Sequence, residues 1–271
     1  MAVAAESREL GVGLGWRPEL DVTVERLRPD FVEVVAENLH PAHLPEPLRQ
    51  MAGRVPVLPH AVSLSLGGAE PVAPHRVGHL AALAEVLGAP LVSDHVCFVR
   101  AGDLDSGHLM PLPRTRDALD VLVANVRAVQ QDLPVPLALE NIAALLTWPD
   151  AELTEAQFLR ELTEQTGCLL LVDVANLYAN ARNLGGDPVR LLDELPLDRL
   201  AYAHVAGGVE RHGVYHDTHT HPVPAPVLDL LRELAARAHP PGVLLEWDDD
   251  YPGDSVFAAE LAAIRDAAGK S

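Results

Sequence analysis

Histidine, aspartate and glutamate recur in this chain where short apolar runs end. His60 stands in LPHAVSLSLGG, Asp94 and His95 in SDHVCF, and Glu140 and Asn141 in LALEN. Asp173, Asn176 and Asn180 lie in LLLVDVANLYAN, His204 in AYAHVAGG, and Glu246 and Asp248 in LLEWDDD. Glu37 and Asn38 close an earlier run, and HDTHTH packs His216, Asp217, His219 and His221 together. These are the donor types of a nitrogen–oxygen metal site. Any one of them alone is most simply a satisfied core residue or a strand-end surface residue. Taken jointly they mean more, because a buried carboxylate is costly without a partner. Cations supply that partner, neutralising carboxylates and taking imidazole lone pairs. Asp217 and His219 are two apart, so in an extended segment both face the same way.

The set contains no thiolate. Cys97 and Cys168 belong to no CxxC pair and sit in apolar runs, which reads as buried free thiols. Iron–sulfur clusters and four-cysteine zinc sites are thereby excluded, while iron, manganese, zinc and cobalt stay open. His212 reads as loop surface, and His75, His79, His108 and His239 as structural or exposed.

The elements that must position these residues follow a regular alternation. Eight apolar runs, at 11–15, 31–38, 55–66, 91–98, 137–142, 169–177, 200–205 and 243–247, read as strands. Several are continuous Val/Leu/Ala stretches, as expected for parallel strands buried on both faces. Helical spacing appears at 75–87, 117–131, 154–166 and 227–238, and Thr154 with Gln157 forms a capping-box pattern. Eight strands alternating with helices predict an α/β fold of the TIM (β/α)8 barrel type, spanning 1–271 as one domain. In such a barrel the strand ends converge on one mouth. A doubly wound sheet is the rival, but GVGLGW lacks GxGxxG spacing and runs into Arg17-Pro18.

Composition narrows the chemistry further. A net charge of −19 disfavours nucleic acid as a partner, and no basic run offsets it. Lys270 is the sole lysine, which argues against Schiff-base chemistry and a P-loop. The N-terminal MAVAAESREL shows no secretory pattern, and no apolar run reaches the roughly 18 residues of a membrane helix. The cytoplasm is the default expectation.

The chain resembles the DUF692 (UPF0276) family, described as multinuclear non-haem iron-dependent oxidases. The resemblance rests on GVGLGWRPEL, FVEVVAENL, PHAVSLSLGG, LVSDHVCFV, LMPLPRT, LALENIA, TGCLLLVDVANLYANARNLGGDP, AYAHVAGG, HDTHTHPV and LLEWDDDYP. That family, which includes the methanobactin biosynthesis oxidase subunit, has xylose isomerase-like TIM barrels. The resemblance implies two or three iron ions, as Fe(II)/Fe(III), with dioxygen as co-substrate. It implies His60, His95, Glu140, Asp173, His204, Asp217, His219 and Glu246 as ligands. It further implies a ribosomally made precursor peptide as substrate, modified at or near a cysteine or a C-terminal residue. A partner protein that recruits the leader peptide is also expected in many members.

Around that ligand set, Asp94, Asn141 and Asn176 are expected to orient the metal-bound histidines and support catalysis. Glu37, Asn38 and His221 are expected to line the substrate pocket. Arg114, in PLPRT, either binds a peptide carboxylate or forms a structural ion pair. The chain departs from the family pattern in reading DTHTHPV rather than DTHGAPV, and in the loop GGVERHGVY. Both departures fall where substrate would enter. Two other readings compete: a zinc or manganese hydrolase or isomerase of the endonuclease IV or xylose isomerase type, and a non-catalytic peptide-binding subunit.

Overall fold

The computed structural model describes residues 9–270 of the chain. In chain order its strands are β1 (Gly11–Gly15), β2 (Phe31–Val35), β3 (Val57–His60), β4 (Val92–His95), β5 (Cys97–Ala101) and β6 (Leu104–Pro111). There follow β7 (Leu137–Glu140), β8 (Leu169–Asp173), β9 (Leu200–Val205), β10 (Val209–Arg211), β11 (Val214–His216) and β12 (Gly242–Leu245). Eight of them close into a parallel barrel in the order β1-β12-β9-β8-β7-β4-β3-β2, β1 pairing with both β12 and β2. β5–β6 and β10–β11 are antiparallel hairpins rising from the barrel.

The helices are α1 (Asp21–Leu27), α2 (Glu46–Ala52), α3 (Pro74–Leu87), α4 (Arg116–Asp132), α5 (Glu155–Thr166), α6 (Val174–Leu184), α7 (Pro188–Glu194), α8 (Ala225–Ala238) and α9 (Asp254–Ala267). Their apolar faces cover the outer side of the barrel in one large hydrophobic cluster, which explains why the strands carry no polar alternation. α5 starts at the predicted capping box. Thr154 accepts from the Gln157 amide at 3.2 Å, and Gln157 accepts from the Thr154 amide at 2.9 Å. No helix among the described residues is long and apolar enough to cross a membrane.

Six of the eight predicted strands end before their apolar runs do, and three of those runs turn into another element. The run at 169–177 splits at Asp173, whose carboxylate accepts from the Asn176 amide at 2.9 Å and so caps α6. A strand and a helix, both apolar, meet there without a break in hydrophobicity. The run at 91–98 splits at Val96, leaving β4 in the barrel and sending β5 out into a hairpin. The run at 31–38 ends as a strand at Val35 and turns through a single 3-10 turn at Ala36–Asn38.

Inside the barrel a second cluster forms a plug. Phe31, Leu58, Leu91, Ala138, Leu171, Tyr202 and Leu244 point inward together, all buried. Side chains two residues apart share a face of a strand. One step of two along the chain from the plug therefore gives Glu33, His60, Ser93, Glu140, Asp173, His204 and Glu246. A further step along β4 gives His95. The polar layer of the mouth is thus set by the strand period, stacked directly on an apolar floor.

Candidate metal centre

The polar layer assembles into four overlapping donor groups. His60, His95 and Glu140 form one; Glu140, Asp173 and His204 a second; Glu33, His204 and Glu246 a third; Asp173, His219 and Glu246 a fourth. Within each group one donor atom per residue lies within 4.8 Å of the others. Glu140 Oε2 stands 3.4 Å from His95 Nε2 and 3.6 Å from His60 Nε2. His204 Nδ1 is 3.5 Å from Glu140 and 3.4 Å from Glu246, and His219 Nδ1 is 3.3 Å from Glu246. Asp217 reaches the cluster through His219 Nε2 at 2.7 Å.

Several of these buried atoms have no hydrogen-bond partner: His95 Nδ1, Glu140 Oε2, Asp173 Oδ2, Asn176 Oδ1, His204 Nδ1 and Asp217 Oδ1. Orphaned buried polar atoms are rare and costly. Those of Glu140, Asp173 and His204 come together in one donor group and are lone-pair donors, so the residues fit a cluster of cations.

Charge tells the same story. Burial, reinforced by neighbouring carboxylates, pushes Glu140 up to about 8 and Asp173 up to about 7. Burial likewise lowers His95 to about 4 and takes His60 well below its ordinary range. For His204 and His219 burial works against the charged form, but the surrounding carboxylates outweigh it and raise both. Glu246 is held low by His219 and His204 against its burial.

Beneath the ligands a buried chain of hydrogen bonds fixes the imidazoles. Glu33 accepts from the Tyr202 hydroxyl at 2.6 Å and from His204 Nε2 at 3.0 Å. Tyr202 spends its proton on Glu33, so in the 2.7 Å contact Ser93 donates to the Tyr202 oxygen. Ser93 Oγ is then the acceptor for His60 Nδ1–H at 2.8 Å. Each bond leaves the other nitrogen, His60 Nε2 or His204 Nδ1, facing the cluster. Partners of this kind orient metal-bound histidines. Glu33 is not among the residues expected from the sequence, which favours Glu37 and Asn38 at the end of the same apolar run. Its signal is its place two residues after Phe31.

The expected supporting residues separate. Asn141 clamps the Asp173 backbone, donating to its carbonyl at 3.1 Å and accepting from its amide at 2.9 Å. Asn176 donates to the Asn141 carbonyl at 3.0 Å and to Glu140 Oε1 at 3.5 Å, while its own oxygen is buried without a partner. Asp94, expected to orient a histidine, faces the other way. Alternation along β4 turns it from the face of Ser93 and His95, and it accepts from the Leu64 amide at 3.1 Å, pinning the loop after β3, yet it also accepts from the His95 amide at 2.5 Å and its Oδ1 stands 3.9 Å from His95 Nδ1.

A cavity of about 900 Å³ opens over the cluster, lined by His60, His95, Glu140, His216, Asp217 and His219 among others. Glu37, Asn38 and His221 are not part of its wall. Glu37 is occupied by the Val62 amide and the Ser63 hydroxyl, and Asn38 is exposed on the 3-10 turn. His221 Nδ1 is shared by Thr218 and Thr220 at 3.0 Å each. Arg114 lines a different chamber, 3.8 Å from Glu155.

His219 holds a left-handed backbone, φ 51°, uncommon for a side chain of its kind. Asp248 secures it from both sides, its amide donating to the His219 carbonyl at 2.8 Å and its carboxylate contacting Nδ1 at 3.0 Å. Arg17 in turn anchors Asp248 at 2.5 Å.

Residues 11–269 match the family described as RiPP precursor modification enzyme MbnB/TglH/ChrH. The chain belongs to this family. A UPF0276 protein of Streptomyces avermitilis is 57% identical over 265 residues, covering 94% of this chain and 54% of the relative. The chain therefore spans about half the length of that relative. A UPF0276 protein of Caulobacter vibrioides is 38% identical, with 96% of this chain and 95% of the relative covered. Among solved structures, endonuclease IV from Thermus thermophilus superposes with a TM-score of 0.64 at 19% identity, over 96% of this chain and 100% of that one. D-psicose 3-epimerase from Clostridium cellulolyticum gives 0.60 at 12%, over 96% of each chain. These likenesses establish the fold as a xylose isomerase-like TIM barrel.

Proposed function

We propose that this protein is a multinuclear iron-dependent oxidoreductase that uses dioxygen to modify a ribosomally made precursor peptide. The observation that carries the metal-dependent part is the set of unpartnered buried donors converging at the barrel mouth. Iron, dioxygen and the peptide are supported by family membership. His60, His95, Glu140, Asp173, His204, Asp217, His219 and Glu246 would hold two or three ions. Bound there, iron would supply one-electron redox chemistry towards dioxygen and the substrate.

The chain's own residues do the rest. Ser93 and Glu33 present one nitrogen each of His60 and His204 to the ions. Asn141 and Asn176 hold Asp173 and Glu140 in register. The plug layer under them keeps water from entering below, so the donors act in a low-dielectric site. Modification at or near a cysteine or a C-terminal residue of the peptide belongs to the same reading, as does a leader-binding partner.

Anaerobic metal analysis combined with mass spectrometry of a co-expressed precursor peptide tests this. The expected result is iron in the protein, an oxidative mass change in the peptide, and loss of both in His95→Ala. Purified protein holding zinc alone and consuming no dioxygen would point instead to a hydrolase or isomerase. A His95→Ala variant that still captured peptide, with the parent showing no turnover, would indicate a binding subunit.

A further inference from the structure

Beside the mouth, a second chamber of about 320 Å³ opens on the same face of the barrel. It begins immediately after the ligand Glu140, with Asn141 and Ile142 in its wall, and extends between α5, α6 and α7. Pro111, Ala144 and Leu146 line both chambers, so the segment just after β7 forms the partition between them. Asn180 of α6 stiffens that partition, donating to the Ile142 carbonyl at 2.9 Å and accepting from the Ala144 amide at 2.8 Å.

The rim is unusually apolar for so acidic a chain. Seven large apolar side chains are exposed among the described residues, and Leu145, Leu146, Trp148 and Leu184 of these ring the two openings. A contiguous exposed apolar rim marks a binding surface. Trp148 is fixed rather than loose, donating from its indole to the Pro111 carbonyl at 2.7 Å. Inside, the walls are Leu112, Phe158, Leu159, Leu177 and Leu191, interrupted by Asn141, Asp187 and the pair of Arg114 and Glu155, whose Nη1 and Oε2 lie 3.8 Å apart.

We propose that this side chamber receives an apolar side chain of the same peptide whose reacting residue lies at the metal centre. This rests on the peptide-substrate reading above. Continuity of the two chambers through a shared wall makes one extended chain the natural occupant. Glu155 and Asp187 on the walls disfavour an acidic side chain there.

Trp148 supplies the probe, since it is 39% exposed while Trp16 and Trp247 are at 2%. The blocked peptide acetyl-Gly-Gly-Phe-Gly-Gly-amide is titrated into the full-length protein, with acetyl-pentaglycine-amide as control. A saturable change in tryptophan emission is expected for the first and none for the second. Ala181→Phe, which fills the chamber, and Leu184→Glu, which charges its exposed rim, should each weaken binding by about tenfold or more. Both should keep the parent's metal content and unfolding temperature; Leu184→Glu guards against misfolding of the filled variant. Equal responses to both peptides, or unweakened binding by a folded variant, would overturn the assignment. So would toluene alone binding as tightly as the peptide, which would mark a small-molecule pocket. Zinc-only protein that still shows this pattern would sink the oxidase reading while leaving the chamber assignment standing.

Discussion

Ser93 is a small residue with a large geometric effect. It has no contact with the cluster of its own, yet it decides which nitrogen His60 offers, through a chain that ends on Glu33. Removing an orienting partner of this kind costs roughly 10–100-fold in metal affinity. Ser93→Ala and Tyr202→Phe should both fall in that range, with His60 losing its single tautomer in nitrogen NMR of the metal-free protein. An unchanged tautomer in both variants would refute the chain as drawn. Glu140 gives a second prediction. Its proton is held up to about 8 in the folded state, and that of Asp173 up to about 7, while unfolded carboxylates release theirs near 4. The folded state therefore binds protons that the unfolded state has lost, and stability falls as pH rises through these values. His204 and His219, also raised, act in the same direction above their ordinary 6.5. Chelated protein should melt at progressively lower temperature from pH 6.5 to pH 8, and Glu140→Gln should flatten part of that fall. Added metal should restore the loss.

At the scale of elements, Asp173 divides its two oxygens between folding and binding. Oδ1 caps α6, and Oδ2 is unpartnered at the cluster. Asp173→Ser and Asp173→Ala both remove the ligand, but serine can still cap. In metal-free protein the alanine variant should melt lower than the serine one by the value of a cap, about 1 kcal/mol or roughly 2 °C. Equal melting temperatures would mean the cap is idle. Gly207, after β9, has its own constraint: a Cβ there would lie 1.9 Å from the His221 carbonyl. Gly207→Ala should displace the segment carrying Asp217 and His219 and cut metal stoichiometry, as read by elemental analysis of the folded variant. His221 thus matters through its backbone, which a motif comparison of side chains does not reveal. The same limit accounts for further differences between sequence and structure. The candidate donors on β3, β4, β7, β8 and β9 were legible because a charged group inside a continuous apolar run is too costly to keep without compensation at its site. α6 was not, because its buried face extends the hydrophobicity of β8 past the cap. Asp94 and His95 look equivalent in one dimension, and only strand alternation sends them to opposite faces. Arg114 and Glu37 carry suitable charges, but their partners come from distant segments whose approach no local pattern encodes.

For the molecule as a whole, the fold was legible from the count and character of the strands, since eight buried runs alternating with helices have few ways to close. The mouth depends on that closure: the donors come from β2, β3, β4, β7, β8 and β9, from the segment between β11 and α8, and from the residue after β12, so no fragment of the barrel carries a complete set. The plug of Phe31, Leu58, Leu91, Ala138, Leu171, Tyr202 and Leu244 seals the other end. The centre is therefore a blind vessel with a single neck. Whatever enters or leaves passes through the same opening. On the function proposed above, ions loaded before the peptide arrives would be shut in by a peptide seated in the neck until it departs.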